Sequence, residues 1–418
     1  MSTIHVVGGK KLEGSISVQG SKNAALPILA ATLLTEGVQV FENCPQISDV
    51  EEMLGILREL GCMVWNETDK LYICAPERIQ GKIDKKHIIS MRSSIILLGV
   101  LLGETGQVCI EYPGGCTIGE RPIDLHIKGL QKLGCKFESD KQFLCATVDK
   151  IKGANIYLEF PSVGATENLI LAAVKAQGET KIYGAAKEPE IVHLCNFLIR
   201  CGANIKGAGT PCVTIQGVKK LYACRYKMPS DRIVAGTYLM CALATGGQIF
   251  LKNAPVNEMD SVLKVLRKMG AFIQVKENGI FLRSEKMLLA QEVKTGVYPG
   301  FPTDLQSPLL VLLSCAKGEG RIIETIYENR FHIVGELRKM NSKVFVDGNE
   351  AMIVGPEKLI GSSVEAKELR GNAALVMAGL VAKGETEIRN CSYIKRGYEN
   401  ICRDLRSLGA ILDEKEDE

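Results

Sequence analysis

An internal repeat of about seventy residues constrains the fold of this chain more than any other feature. A helix-like segment ends at each of six marks, five of them glycine: Gly61, Gly134, Gly202, Gly270, Asn341 and Gly409. Successive marks lie 73, 68, 68, 71 and 68 residues apart, so six units nearly fill the 418 residues. Solenoid repeats have periods of about 20–50 residues. Each unit is therefore expected to be a small fold in itself.

Each unit is expected to contain two helices and two strands in alternation. One unit predicts a helix, a strand, a second helix and a second strand, at residues 169–176, 180–183, 188–199 and 204–206. The same order recurs in 230–271, 303–340 and 369–409. The first helix of each unit is almost entirely apolar, and a helix that is apolar on every side is buried. Six buried helices ringed by sheets predict an α/β protein with two domains of three units each.

Composition excludes several classes of function. A net charge of +3 and an aromatic fraction of 6% do not fit a nucleic-acid-binding surface. The longest apolar run, residues 95–103, is far shorter than the ~20 residues that span a bilayer. The amino terminus lacks the pattern of a signal peptide, so the fifteen cysteines are expected to be reduced thiols in the cytoplasm. The sequence contains neither a CxxC nor an HxxxH motif, so it predicts no metal site.

One cysteine stands out by its surroundings. Cys116 lies among Gly114, Gly115 and Gly119, and Arg121 follows it. Glycines let a loop move and let a ligand approach the backbone. A thiol near a guanidinium loses its proton more readily than a buried thiol does. Cys116 is therefore the candidate reactive cysteine, although most free cysteines are small buried hydrophobes.

Cationic and polar residues recur at the turns that precede the buried helices. They include Lys22, Asn23, Arg92, Asp304, Arg330, Arg370 and Arg396. Helix N-termini attract anions, and guanidinium groups bind phosphate and carboxylate in a bidentate manner. If the units converge, such a ring of cations would bind a small polyanion. Asp304 is then a candidate general base, with a helix N-cap as its alternative role.

Nine segments in this order and spacing resemble the enolpyruvyl transferase family. They are residues 19–24, 91–94, 113–122 with 124–126, 162–166, 231–232, 299–306, 328–331, 369–370 and 396–399. The resemblance implies a two-domain inverse α/β barrel of six repeats, with the domains facing each other across a cleft. The first domain would be residues 22–229, which carry the Cys116 loop, and the second would combine 1–21 with 230–418.

The resemblance implies transfer of the enolpyruvyl group of phosphoenolpyruvate to the 3′-hydroxyl of UDP-N-acetylglucosamine, the first committed step of peptidoglycan synthesis. Cys116 would protonate C3 of phosphoenolpyruvate and would be the thiol that fosfomycin alkylates. Asp304 would receive the hydroxyl proton, with Lys22 and Arg396 also in catalytic roles. Substrate contacts are implied for Lys22, Asn23, Arg92, Arg121, Pro122, Ile123, Asp124, Leu125, Ser162, Val163, Asp304, Ile326, Arg330, Arg370 and Arg396. No metal, organic cofactor, nucleic acid or membrane partner is implied, and a monomer is expected.

Three alternatives stay open at the level of sequence. A sister transferase acts on shikimate 3-phosphate with the same fold, but the cysteine loop and the 121–125 run speak against it. A cyclase acting on RNA ends would need a nucleotide-accepting histidine and a basic face, and neither is apparent. A non-catalytic sensor of the UDP-sugar would be expected to lack Cys116, Asp304 or Lys22, and all three are present.

Overall fold

The computed structural model describes residues 2–79, 95–111, 119, 122–139, 143–356, 358–365 and 367–416. These residues form two compact units. One unit contains residues 2–19, 119 and 230–416, and the other contains residues 20–111 and 122–229, with the gaps given above. Within the described ranges, no helix is both long enough and apolar enough to cross a membrane.

The helices of the described chain alternate between fully buried and half-buried. In chain order they are α1 (Lys22–Ala31), α2 (Ser48–Glu59), α3 (Leu97–Thr105), α4 (Asp124–Lys132), α5 (Val163–Ala173), α6 (Pro189–Arg200), α7 (Arg232–Ala244), α8 (Asp260–Lys268), α9 (Gln306–Ser314), α10 (Val334–Lys339), α11 (Leu369–Val381) and α12 (Ile401–Ser407). All nine residues of α9 are buried. By contrast, α8 buries only Val262, Leu263 and Leu266, at the three- and four-residue spacing of one helix face.

The strands are short. In chain order they are β1 (Ser2–Val7), β2 (Glu13–Ser17), β3 (Thr35–Glu36), β4 (Val38–Glu42), β5 (Met63–Glu67), β6 (Lys70–Cys74), β7 (Gln107–Glu111), β8 (Lys136–Ser139), β9 (Phe143–Thr147), β10 (Asn155–Tyr157), β11 (Glu179–Tyr183), β12 (Asn204–Lys206), β13 (Cys212–Gln216), β14 (Leu221–Tyr222), β15 (Arg225–Lys227), β16 (Gln248–Lys252), β17 (Ala271–Lys276), β18 (Gly279–Ser284), β19 (Glu292–Lys294), β20 (Gly318–Ile323), β21 (Lys343–Asp347), β22 (Glu350–Gly355), β23 (Ser363–Glu365), β24 (Glu385–Arg389) and β25 (Ile411–Glu416).

Five sheets share one mixed topology. Their strand orders are β15-β4-β6-β5, β10-β11-β13-β12, β2-β16-β18-β17, β19-β20-β22-β21 and β23-β24-β1-β25. In each, the first two strands are parallel and the remaining neighbours are antiparallel. The strands β7-β9-β8 form a three-stranded sheet, and β14 pairs with β3. Every order is linear, so the described strands form open sheets, five of them mixed, and no closed barrel. The chain is therefore α/β, and the description as an inverse barrel of six repeats stays a proposal.

Each unit has its own apolar core built on its buried helices. In the unit that contains residues 230–416, α7, α9 and α11 contact one another in pairs. Leu310 and Leu375, on two of these helices, are fully buried. A leucine buried to this extent contributes about 1.5–3 kcal/mol through the hydrophobic effect. Several candidate site residues, Lys22, Asn23 and Arg370 among them, lie in the first turns of the buried helices.

The predicted helix ends are confirmed. Gly61, Gly202 and Gly409 have φ angles of 97°, 105° and 93°, in the left-handed region that glycine enters at little cost. Asn341 replaces glycine with a φ of 69°, which asparagine tolerates better than most residues. At the first of these ends, the amide of Cys62 donates to the carbonyl of Leu57 over 2.9 Å and closes the last turn.

The expectation that every cysteine is a reduced thiol is wrong for one pair. Cys109 and Cys145 form a disulfide, with their Cα atoms 4.0 Å apart. They stand directly opposite each other on the antiparallel strands β7 and β9. Side chains at such positions lie on the same face and close together. The sequence could not reveal the pair because 36 residues separate the two cysteines.

Candidate active site

Polar side chains cap the first turns of four buried helices. Ser21, Ser162, Asp231 and Glu368 are the N-cap residues of α1, α5, α7 and α11, and each accepts a hydrogen bond from an amide in the first turn. This satisfies amides that would otherwise lack partners at a helix start. Ser162 therefore has a structural role in addition to its implied substrate contact. Capping also fixes the positions of the residues that follow.

Lys22 is the first residue of α1 and forms an ion pair with Asp49 at the start of α2. Lys22 Nζ lies 2.6 Å from Asp49 Oδ2, and only 1% of the Asp49 side chain is exposed. A buried carboxylate this close restricts the ammonium group to one region. Sequence reasoning missed Asp49, because an aspartate in the first turn of a helix normally indicates favourable interaction with the helix dipole alone.

The turns at 122–125 and 162–163 lie side by side in the same unit. His126, in the first turn of α4, bonds through Nδ1 to Asn168 Nδ2 on α5 over 2.8 Å. A Cβ atom at Gly164 would lie 3.2 Å from the Cε1 atom of His126, so the first turns of α4 and α5 are in contact. The structure thus brings together several of the predicted sugar-contact residues. Ile123 is buried, Pro122 and Asp124 are exposed, and Asn23, Leu125, Ser162 and Val163 are half-buried.

Asp304 bridges two buried arginines in the other unit. Its Oδ1 atom lies 2.7 Å from Arg330 Nη2, and its Oδ2 atom lies 3.0 Å from Arg370 Nη2. The side chains of Arg330 and Arg370 are only 2% and 4% exposed, whereas that of Asp304 is 28% exposed. Asp304 lies in a 3-10 turn, Thr303–Leu305, immediately before α9. The N-cap residue of α9 is Leu305, with no side-chain capping bond, so the alternative role of Asp304 as an N-cap is not observed.

The two arginines retain capacity for an anion. Arg330 Nε and Arg370 Nη1 are buried and have no hydrogen-bond partner among the residues that the structure describes. Burial is the largest single influence and would lower the pKa of Arg370, but the charges of Asp304, Tyr398 and Asp231 and the hydrogen bond to Asp304 together raise that pKa above its usual range. The Arg370 guanidinium group therefore stays charged. Buried donors without partners are rare, and they indicate a binding role.

A buried glutamate that sequence reasoning missed joins the loops around Asp304. Glu324, 1% exposed, follows strand β20. Its Oε2 atom accepts from the Thr303 hydroxyl over 2.9 Å, and its Oε1 atom accepts from the amide of Ile326 over 2.8 Å. Oε1 also accepts from the Thr295 hydroxyl, over 2.9 Å, at the end of β19. Glu324 thus holds two segments in place, the turn that contains Asp304 and the segment that contains the half-buried Ile326. No motif in the sequence distinguishes it from the other acidic residues.

Arg396 ends the 3-10 segment Cys391–Arg396 and is half-buried. The next residue, Gly397, packs against the start of α11, since a Cβ atom there would lie 2.6 Å from Leu369 Cδ2. Gln19 holds the same turn, because its Nε2 donates to the Gly397 carbonyl and its Oε1 accepts from the Glu399 amide. The turn that carries Arg396 is therefore held beside the residue that precedes Arg370.

Three predicted site residues, Arg92, Cys116 and Arg121, lie outside the described residues. Gly119, which is described, packs against the segment that leads to Arg330. A Cβ atom at Gly119 would meet Glu328 Oε2, the end of an exposed side chain that would have to move. Among the described residues, no group of three or more histidine, cysteine, aspartate or glutamate side chains has an arrangement suited to a metal ion.

Comparison with known proteins identifies relatives over the whole chain. The family described as EPSP synthase (3-phosphoshikimate 1-carboxyvinyltransferase) matches residues 6–405. A protein of Lawsonia intracellularis named UDP-N-acetylglucosamine 1-carboxyvinyltransferase is 43% identical over 412 residues, 99% of each chain. One of Carboxydothermus hydrogenoformans named UDP-N-acetylglucosamine 1-carboxyvinyltransferase 2 is 43% identical over 419 residues, 100% of each chain.

Solved structures share the fold at lower identity. The enolpyruvyl transferase NikO from Streptomyces tendae superimposes with a TM-score of 0.89 at 21% identity, covering 99% of this chain and 98% of NikO. The EPSP synthase of Acinetobacter baumannii gives a TM-score of 0.78 at 18% identity over 100% of both chains. At these identities the likeness establishes the fold alone, which is the α/β fold of EPSP synthase.

Proposed function

The chain belongs to the enolpyruvyl transferase family, and we propose from this premise that it transfers the enolpyruvyl group of phosphoenolpyruvate to UDP-N-acetylglucosamine and releases phosphate. The main support for UDP-N-acetylglucosamine as the acceptor is the 43% identity, over 99–100% of both chains, to relatives named for this activity. The family description names the shikimate enzyme, but that description covers the family at large. The chain is therefore a transferase, and 3-phosphoshikimate is not the favoured acceptor.

The arrangement around Asp304 supports the chemistry. In the proposed reaction the 3′-hydroxyl of the sugar adds to C2 of phosphoenolpyruvate while C3 takes a proton. Asp304 accepts the hydroxyl proton as general base, and Cys116 donates the proton to C3. Phosphate then leaves the tetrahedral intermediate, and loss of a proton from C3 gives the enolpyruvyl ether. Arg370 and Arg330, charged and buried, offer N–H groups to an anion whose charge shifts in the transition state.

The remaining implied residues complete the proposal. Lys22, Arg92, Arg121 and Arg396 would bind the phosphate and carboxylate of phosphoenolpyruvate. The UDP-sugar would contact Asn23, Pro122, Ile123, Asp124, Leu125, Ser162, Val163 and Ile326. We further propose the domains 22–229 and 1–21 with 230–418, built as inverse barrels of three repeats each. The same proposal includes a cytoplasmic enzyme of cell-wall synthesis that is inhibited by fosfomycin.

The decisive experiment measures phosphate release from phosphoenolpyruvate by the purified full-length protein. Release is expected with UDP-N-acetylglucosamine and not with shikimate 3-phosphate or without an acceptor. Turnover with shikimate 3-phosphate would instead establish the sister activity. Binding of the UDP-sugar without any turnover, measured by calorimetry, would favour the non-catalytic sensor.

A second experiment tests the role of Cys116 by alkylation with fosfomycin. Burial raises the pKa of seven other thiols to about 11 or 12: Cys62, Cys135, Cys195, Cys241, Cys315, Cys391 and Cys402. Those thiols are therefore poor nucleophiles near neutral pH. Peptide mass spectrometry should place the adduct on Cys116. Cys116→Ala should abolish turnover and Cys116→Asp should retain some, and an adduct on another cysteine would contradict the assignment.

A further inference from the structure

A pair of thiols, Cys201 and Cys224, takes no part in the proposed reaction. We propose that it is an oxidant-sensitive dithiol, in which hydrogen peroxide oxidises Cys224 and Cys201 then closes a disulfide. The Sγ atoms lie 3.7 Å apart without a bond between them. The two sulfurs are in contact and would have to move closer to reach bonding distance, which is about 2.0 Å.

The fold holds both thiols in place through Gln39. Its side-chain carbonyl accepts from the Cys224 amide over 2.9 Å, and its Nε2 lies 3.6 Å from Cys201 Sγ as a donor. Gln39 is itself completely buried. The Cys201 carbonyl, at the end of α6, also accepts from the Tyr222 amide over 2.8 Å. The two sulfurs therefore stay adjacent rather than meeting only by chance motion.

The surroundings give the two thiols different roles. Cys201 is 1% exposed, whereas Cys224 is half-buried and within reach of a small solute. The hydrogen bond from Cys201 lowers the pKa of Cys224, and the charge of Arg200 lowers it further against the opposing effect of burial. The same hydrogen bond and burial raise the pKa of Cys201. Cys224 is thus the thiolate that attacks, and Cys201 is the thiol that resolves.

The proposed oxidation balances in two steps. The Cys224 thiolate attacks one oxygen of hydrogen peroxide, the O–O bond breaks, and hydroxide leaves, so Cys224 becomes a sulfenic acid. The sulfur of Cys201 then attacks the sulfur of that sulfenic acid. The S–S bond forms, the S–O bond breaks, and the departing hydroxide takes the thiol proton as water. Overall, two thiols and one peroxide give one disulfide and two waters.

The test treats the reduced full-length protein with a small excess of hydrogen peroxide, blocks remaining thiols with N-ethylmaleimide, and maps peptides without reduction. A linked peptide containing Cys201 and Cys224 is expected, distinct in mass from the Cys109–Cys145 link. Most of the protein should carry the new link while Cys212, a half-buried thiol of the same unit, is still alkylated. This measurement needs no variant, so a folding defect cannot obscure it.

Variants then separate the two roles. In Cys201→Ser, dimedone should trap a sulfenic acid on Cys224, while in Cys224→Ser the thiol of Cys201 should stay reduced. The matched control Cys212→Ser should form the Cys201–Cys224 link as the unaltered protein does. The proposal is overturned if peroxide leaves Cys201 and Cys224 alkylable, or if dimedone labels Cys212 as strongly as Cys224 in the Cys201→Ser protein.

Discussion

Replacing Asp304 with asparagine is expected to destabilise the unit that contains it. An asparagine still offers one oxygen to Arg330, 2.7 Å away in the present structure. Its amide nitrogen, however, would face the Nη2 donor of Arg370, and the negative charge between two buried cations would be lost. A hydrogen bond to a charged group contributes about 1.5–3 kcal/mol. Losing one such bond and weakening the other predicts a loss of about 2–4 kcal/mol in the free energy of unfolding.

Thermal unfolding followed by far-UV circular dichroism measures this loss. The single tryptophan, Trp65, lies in the other compact unit, so its fluorescence is not the right probe. For a unit of this size, each kcal/mol lowers the melting temperature by about 2–4 °C, so a decrease of roughly 4–16 °C is expected. Asp260→Asn is the matched control, because Asp260 pairs with Lys264 where both side chains are 65% exposed. Such a pair contributes about 0.2–1 kcal/mol at most.

An added anion should show whether Asp304→Asn is destabilised by the loss of negative charge beside the two arginines or by a general disruption of the fold. Inorganic phosphate should raise the melting temperature of Asp304→Asn more than that of the unaltered protein, because the two guanidinium groups lack their carboxylate only in the variant. Ligand that binds only the folded state stabilises it by mass action. Equal stability of the two proteins, or an equal effect of phosphate on both, would refute the reasoning.

Three further predictions test other parts of the structure. Glu324→Gln should lower kcat about tenfold or more with little change in KM, because an amide cannot keep every bond to Thr303, Thr295 and Ile326. A tenfold change in kcat corresponds to about 1.4 kcal/mol in the activation free energy. A lower melting temperature at unchanged kcat would contradict this prediction. Asp49→Asn should raise the KM for phosphoenolpyruvate about tenfold, equivalent to about 1.4 kcal/mol. The reason is that Lys22 loses the carboxylate that lies 2.6 Å from its ammonium group. Steady-state kinetics with each substrate varied provide the measurement. Burial, then the charges of Glu190 and Glu188, raise the pKa of Glu167 well above its ordinary value of 4.5. As pH rises, Glu167 therefore loses its proton in the unfolded chain before it does so in the folded protein. The free energy of unfolding consequently falls from pH 4.5 up to the raised pKa. The melting temperature of Glu167→Gln should equal that of the unaltered protein at pH 4 and exceed it at pH 8. A difference in melting temperature that is independent of pH would argue against a neutral buried carboxyl.

Local patterns predicted much of the architecture. Apolar runs and the residues Gly61, Gly202 and Asn341 predicted where helices are buried and where they end, because those properties depend on neighbours within one or two turns. The strand at 204–206 and the proline-led helix at 189–200 follow from the same local rules. The capping role of Glu368, which binds the amides of Arg370 and Gly371, is likewise local.

The contacts that matter for chemistry depend on tertiary structure. Asp304 meets Arg330 and Arg370 across 26 and 66 residues of sequence, and Cys201 meets Cys224 only because the end of α6 returns to the strand region near β15. Sequence identified Asp304, Arg330 and Arg370 as candidates by type and motif, yet nothing in it indicated that one carboxylate joins both arginines. Residue types and local spacing set the helices and strands, because backbone hydrogen bonds and side-chain periodicity act over a few residues. Which charged groups and which thiols become partners is decided by packing of distant segments, because burial brings them together and removes the water that would otherwise solvate each one.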